Sequence, residues 1–115
     1  MTIQTLNPST ESVLPMVELR LVGPLDVSSL IRLGEQIDDA VSLAPKRLVV
    51  DLSQCDYMDA QAIRVLLDGH RAMWRQGGRL LLRGANPAAM RLLSIAGVQH
   101  VFTFDDRTDR GLLAG

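Results

Sequence analysis

Over residues 17–22 the chain alternates strictly: Val17, Leu19 and Leu21 share one face, Glu18 and Arg20 the other. A period of two predicts a β-strand, and the polar face gives it a wet side or an edge position. Gly23-Pro24 stops it. Next, Leu30, Leu33, Ile37 and Val41 recur at helical spacing, with Arg32, Glu35, Gln36, Asp38 and Asp39 opposite. This is an amphipathic helix, capped from among Asp26, Ser28 and Ser29 and ended before Pro45. Residues 48–52 form a short, nearly continuous apolar run rich in β-branched side chains, the pattern of an interior strand. Ile63, Leu66, Leu67, His70, Met73 and Trp74 mark a second helix, closed by Gly77-Gly78. Leu80, Leu81 and Leu82 form another interior strand.

Asn86-Pro87 predicts a third helix, with Asn as cap and Pro in the first turn. Met90, Leu93 and Ile95 supply its apolar residues, and Gly97 stands where a C-terminal glycine belongs. Residues 101–104 read as a last short strand, and 108–114 as a weak final helix. A first strand over 3–6 precedes a polar loop at 7–15. The expected order is β-β-α-β-α-β-α-β-α, an α/β mixed sheet. Alternating strands and helices imply mainly parallel central strands, with the first two strands adding an antiparallel pair.

Length and charge narrow the classes. A chain of 115 residues is one domain, 1–115, long enough to bury a core without disulfides or a metal. Twelve basic and thirteen acidic residues are spread along it, so no clustered basic face marks a nucleic-acid site. Tyr57, Trp74, Phe102 and Phe104 are the only aromatic residues, too few for a base-stacking platform. The single cysteine, Cys55, cannot close an internal disulfide and reads as an ordinary loop thiol. No apolar run approaches the roughly 20 residues of a membrane span, and residues 1–10 do not form a signal peptide. These features predict a cytoplasmic protein without membrane insertion or direct nucleic-acid binding.

Four stretches then carry a resemblance: Leu21-Val22-Gly23-Pro24-Leu25-Asp26, Leu48-Val49-Val50-Asp51-Leu52-Ser53, Tyr57-Met58-Asp59-Ala60-Gln61-Ala62-Ile63 and Gln76-Gly77-Gly78-Arg79-Leu80. In this order and spacing the chain resembles the STAS domain of bacterial anti-sigma factor antagonists from about residue 17 to 104. The resemblance implies a STAS-type fold, no catalysis, no cofactor and partner switching. In that family the unphosphorylated antagonist binds an anti-sigma factor, often of serine-kinase type. Phosphorylation of the second serine of an Asp-Ser-Ser-Gly loop then ejects it. Here the corresponding positions hold Ala60, Gln61 and Ala62, and no serine or threonine occurs between Ser53 and Ser94. Gln61 is neutral and offers no oxygen to a kinase. It therefore resembles the unmodified state rather than a phosphoserine of about −1.5 to −2 charges.

The resemblance assigns partner binding to Asp26, Asp59, Ala60, Gln61, Ala62, Ile63 and Arg64. Read without it, Asp26 and Asp59 are turn or cap residues and Gln61 is an exposed polar residue of a first helical turn. The positive end of that helix can hold an acidic group of a partner. His70 reads as a half-buried histidine rather than a ligand. Arg64, Asp68, Arg71 and Arg75 form a solvated ion-pairing face or a basic docking edge. Trp74 belongs to the core or, if exposed, anchors an interface. A receiver-type phosphoacceptor at Asp51 lacks the acidic pair needed for Mg²⁺, and no metal-ligand set or nucleophile is present. The alternative function within the same fold is an accessory subunit of a membrane transporter or stress-sensing complex. Homodimerisation is left open.

Overall fold

The structure, a computed structural model, describes residues 2–6 and 16–105. The loop expected over 7–15 and the helix expected over 108–114 lie outside the described residues. The elements are β1 (Thr2–Leu6), β2 (Met16–Val22), α1 (Val27–Ser42), β3 (Arg47–Gln54), α2 (Ala60–Arg75), β4 (Arg79–Arg83), α3 (Pro87–Ile95) and β5 (Thr103–Phe104). They form one sheet in the spatial order β1-β2-β3-β4-β5. β1 pairs antiparallel with β2, from Thr2 opposite Val22 to Leu6 opposite Glu18. β2, β3, β4 and β5 run parallel.

The core lies on one face of the sheet. Val17, Leu19 and Leu21 of β2, Leu48, Val50 and Leu52 of β3, and Leu80 and Leu82 of β4 are all buried. Leu33, Ile37 and Ala40 of α1 and Ala62, Ile63, Leu66 and Met73 of α2 belong to the same cluster. Each fully buried aliphatic side chain contributes about 1.5–3 kcal/mol. α1 and α2 approach closely at Gly69, where an added Cβ would sit 2.8 Å from Ile37 Cγ2.

Local chemistry sets the helix ends. The Asp26, Asp59 and Asn86 side chains each accept backbone N–H groups at the starts of α1, α2 and α3. Gly77, at φ +80°, closes α2, and the Gly78 N–H donates to Met73 O at 2.9 Å. α1 instead ends through Ala44 at φ +52°, a left-handed conformation. Pro45 disfavours a helical residue before it.

Several expectations need correction. β2 is not an edge strand: it lies between β1 and β3. Its polar face is dry at Glu18, which is buried and whose carboxylate accepts from Arg83 Nη1 at 2.8 Å, while the Arg20 side chain stays 41% exposed. β5 covers only Thr103–Phe104, since the Val101 N–H is taken up in a turn with Val98 O. Ile95 is exposed rather than packed, leaving Leu93 as the buried residue of α3.

Candidate functional site

The loops that leave β2 and β3 are joined by backbone hydrogen bonds. Gly23 N–H donates to Gln54 O at 2.9 Å and Leu25 N–H to Tyr57 O at 2.8 Å. Gly23 has φ +94°, a turn that favours glycine. The side chain of Leu25 is fully buried beneath these loops. Both loops therefore sit as one body at the carboxyl end of the parallel strands, where α1 and α2 begin.

The two carboxylates at this end are committed to the backbone. Asp26 Oδ1 accepts from Ser29 Oγ at 2.8 Å, Ser28 Oγ at 2.9 Å and Ser29 N–H at 3.0 Å. The two hydroxyls, Ser29's first, and then the Ser29 N–H hold the Asp26 carboxyl below its ordinary pKa. Asp59 Oδ1 accepts from Gln61 N–H at 3.0 Å and Ala62 N–H at 3.1 Å. The Ile63 N–H already donates to Asp59 O at 3.3 Å. The positive end of α2 is thus largely occupied by the chain's own cap, and an incoming acid would find few free donors.

The seven sequence-assigned residues divide by burial. Asp26, Ala60, Gln61 and Arg64 are exposed and Asp59 is half-buried. Ala62 is fully buried and Ile63 nearly so, because they are the first core-facing positions of α2. Neither offers surface to a partner in this conformation. Sequence reasoning missed three exposed apolar side chains nearby: Val27, Ile31 and Tyr57. Val27 and Ile31 are one helical turn apart and lie off the Leu33–Ile37 stripe. That spacing was the available signal. Tyr57 precedes the cap of α2 by two residues.

Beneath the Tyr57 loop is a cavity of about 190 Å³ between the β3–α2 connection and the start of α3. Cys55 lines it and is buried, with Sγ donating to Tyr57 O at 3.3 Å. Burial pushes the thiol above its ordinary pKa, which keeps it protonated and a poor nucleophile. Asp51 is equally committed, accepting from Ser53 N–H at 2.8 Å and Ser53 Oγ at 2.6 Å and facing Arg20 Nε at 3.7 Å. No group of three or more metal-ligating side chains occurs among the described residues. No helix among them is long and apolar enough to cross a membrane.

Further along α2, Arg71 pairs with Asp68 at 3.7 Å, both exposed. His70 is half-buried. It stacks on Trp74 with ring centroids 6.4 Å apart, and Trp74 itself is 66% exposed. Met73 is in the core and Trp74 is not.

Residues 11–104 match the family described as "Mlab, STAS domain". A curated relative, the anti-sigma F factor antagonist of Paenibacillus polymyxa, is 28% identical over 91 residues, covering 76% of each chain. An anti-sigma factor antagonist from Mycobacterium paratuberculosis has a similar structure, with a TM-score of 0.75 at 21% identity, over 98% of this chain and 93% of that one. A sulfate transporter family protein from Wolinella succinogenes also shares the fold, with a TM-score of 0.67 at 21% identity, over 86% of each chain.

Proposed function

The chain belongs to the STAS domain family, and from that premise we propose that it is a non-catalytic regulatory protein that binds an anti-sigma factor. The observation that carries this is the fused pair of loops at the carboxyl end of β2 and β3. They present Asp26, Asp59, Ala60, Gln61 and Arg64 beside the exposed Val27, Ile31 and Tyr57 on one rigid support. An interface anchor of this kind combines apolar and aromatic side chains with polar groups around them. The protein acts in the cytoplasm, where its partner is a sigma-factor regulator, including the serine-kinase type.

Gln61 makes the rim insensitive to the usual switch. With no serine or threonine from 54 to 93, the segment has no acceptor for a serine kinase. Its charge at this position stays constant, whereas phosphorylation would add about −1.5 to −2 charges next to Asp59.

A second reading, an accessory subunit of a membrane transporter or stress-sensing complex, is favoured by that same missing acceptor. A component that cannot be ejected suits a permanent assembly. Affinity capture with the wild-type chain and with Gln61→Arg separates the two. A kinase-type anti-sigma factor, captured by wild type and lost with Gln61→Arg, supports the first. Transporter subunits as the main captured species support the second. Capture of either partner undiminished by Gln61→Arg places the docking surface elsewhere. Phosphate found by mass spectrometry within residues 54–64 after a kinase assay contradicts the constant-charge reading.

A further inference from the structure

At the opposite end of the sheet from the loop rim, a cleft of about 530 Å³ opens between the second half of α2, the start of β4 and the lead into β5. That volume is in the range of small-molecule sites, about 300–1,000 Å³. Its apolar wall is Trp74 with Leu80 behind it, and its cations are Arg71, Arg75 and Arg79. No acidic residue lines it. Arg71 has Asp68 as a loose, solvent-exposed partner. Arg75 and Arg79 make no ion pair with the described residues.

One further observation points to an occupant. His70 lines the same cleft. Trp74, the largest side chain of the protein, is left outside the core, with its ring inclined 27° to that of His70. The exposed indole thus stands beside the guanidinium groups of Arg75 and Arg79, which have no ion-pair partner among the described residues.

We infer that this cleft binds a small organic phosphate, a phosphate monoester carried on a flat apolar body. The body lies against Trp74. The phosphate, at about −1.5 to −2 charges, matches Arg75 and Arg79, which have no ion-pair partner among the described residues and whose planar forks suit its oxygens. The site is separate from the partner rim and does not depend on what binds there.

The test uses the full chain and its only tryptophan as reporter. Phenyl phosphate is titrated while Trp74 emission and the indole N–H and Thr103 amide resonances are followed. A saturable change is expected, with inorganic phosphate and benzyl alcohol each binding more weakly because each lacks half of the match. The double variant Arg75→Gln, Arg79→Gln is expected to weaken phenyl phosphate about tenfold or more while leaving the circular dichroism spectrum unchanged. Absence of saturation at millimolar phenyl phosphate overturns the assignment. Equal binding of benzyl alcohol, or undiminished binding by the double variant, does so too.

Discussion

Replacing Arg83 with methionine should destabilise the protein far more than an ordinary surface charge change. Arg83 Nη1 lies 2.8 Å from Glu18 Oε2 and Nη2 lies 2.7 Å from Asp105 Oδ2. The side chains are 19%, 8% and 9% exposed, so these pairs are shielded from water. Burial alone lowers the pKa of the Arg83 guanidinium, yet the Asp105 and Glu18 carboxylates outweigh it and raise that pKa above its ordinary value. The variant leaves the Glu18 carboxylate buried without its hydrogen-bonded cation. Breaking one side of a buried pair costs about 3–5 kcal/mol, against about 0–1 for an exposed pair. A domain of this kind has about 5–15 kcal/mol in total.

Urea unfolding followed by circular dichroism measures the loss. With a slope of about 1–3 kcal/mol per molar, the midpoint should fall by roughly 2 M. The double variant Glu18→Leu, Arg83→Met removes one of the two carboxylates that Arg83 holds and should recover part of the stability, because apolar replacements of buried pairs are often neutral, while Asp105 still loses its Arg83 partner. A loss below about 1 kcal/mol for Arg83→Met would place the cluster in the class of solvated surface pairs. No recovery in the double variant would show that the stranded Glu18 charge is not the source of the cost. Either result refutes the account of how the polar face of β2 is closed.

Three other outcomes follow from the loops and caps. The Asp26 carboxyl has a folded pKa below its unfolded one. Its contribution is complete above the unfolded value, about 3.9, and disappears as pH falls through the lower folded value. Asp26→Asn keeps the cap and removes the titration, so its melting temperature should fall less steeply with acid than that of wild type. Asp59→Ala should cost about 1 kcal/mol in urea unfolding by freeing the Gln61 and Ala62 N–H groups; a neutral result would remove Asp59 from the cap. Gly84→Ala should cost about 2–5 kcal/mol, because Gly84 has φ +72° and an added Cβ would lie 2.7 Å from Ser53 Cβ and 3.1 Å from Ser53 backbone atoms. Thermal melts read this, and a wild-type midpoint would show that the turn gives way.

What the sequence revealed was what is decided locally. The caps Asp26, Asp59 and Asn86 act on donors three residues away or fewer, so spacing pointed to Asp59 and Asn86 and narrowed the first cap to Asp26, Ser28 or Ser29. The Gly77-Gly78 stop is local in the same sense. Glu18 and Arg83 are 65 positions apart and two strands distant, and no periodicity connects them. The alternating pattern of β2 was therefore taken for a wet face when it is a paired one. Trp74 was left between core and surface for a related reason: its place on the apolar stripe allowed either, and the packing settles it, with Met73 in the core and Trp74 exposed. The resemblance located the segment 59–64 but not its faces, and so grouped the buried Ala62 and Ile63 with the exposed Gln61 and Arg64.

Those faces determine what kind of contact the loop rim can make. Asp59 takes up the N–H groups of Gln61 and Ala62, and its own carbonyl takes up that of Ile63. These three N–H groups are taken up by the chain itself, so on the proposed docking reading side chains carry more of the recognition. Of these, Gln61 is neutral and Arg64, one residue past the first turn, is the nearest cation along the helix, while Val27, Ile31 and Tyr57 expose apolar surface that no described part of the chain covers. Apolar area of that kind supplies affinity by desolvation, and a neutral amide at its border can hydrogen-bond without adding a charge to be desolvated. A negative group at position 61 would instead lie within two residues of the Asp59 carboxylate, with the nearest backbone donors already used. On the proposed docking reading, a neutral residue at position 61 therefore keeps the charge beside the Asp59 cap unchanged.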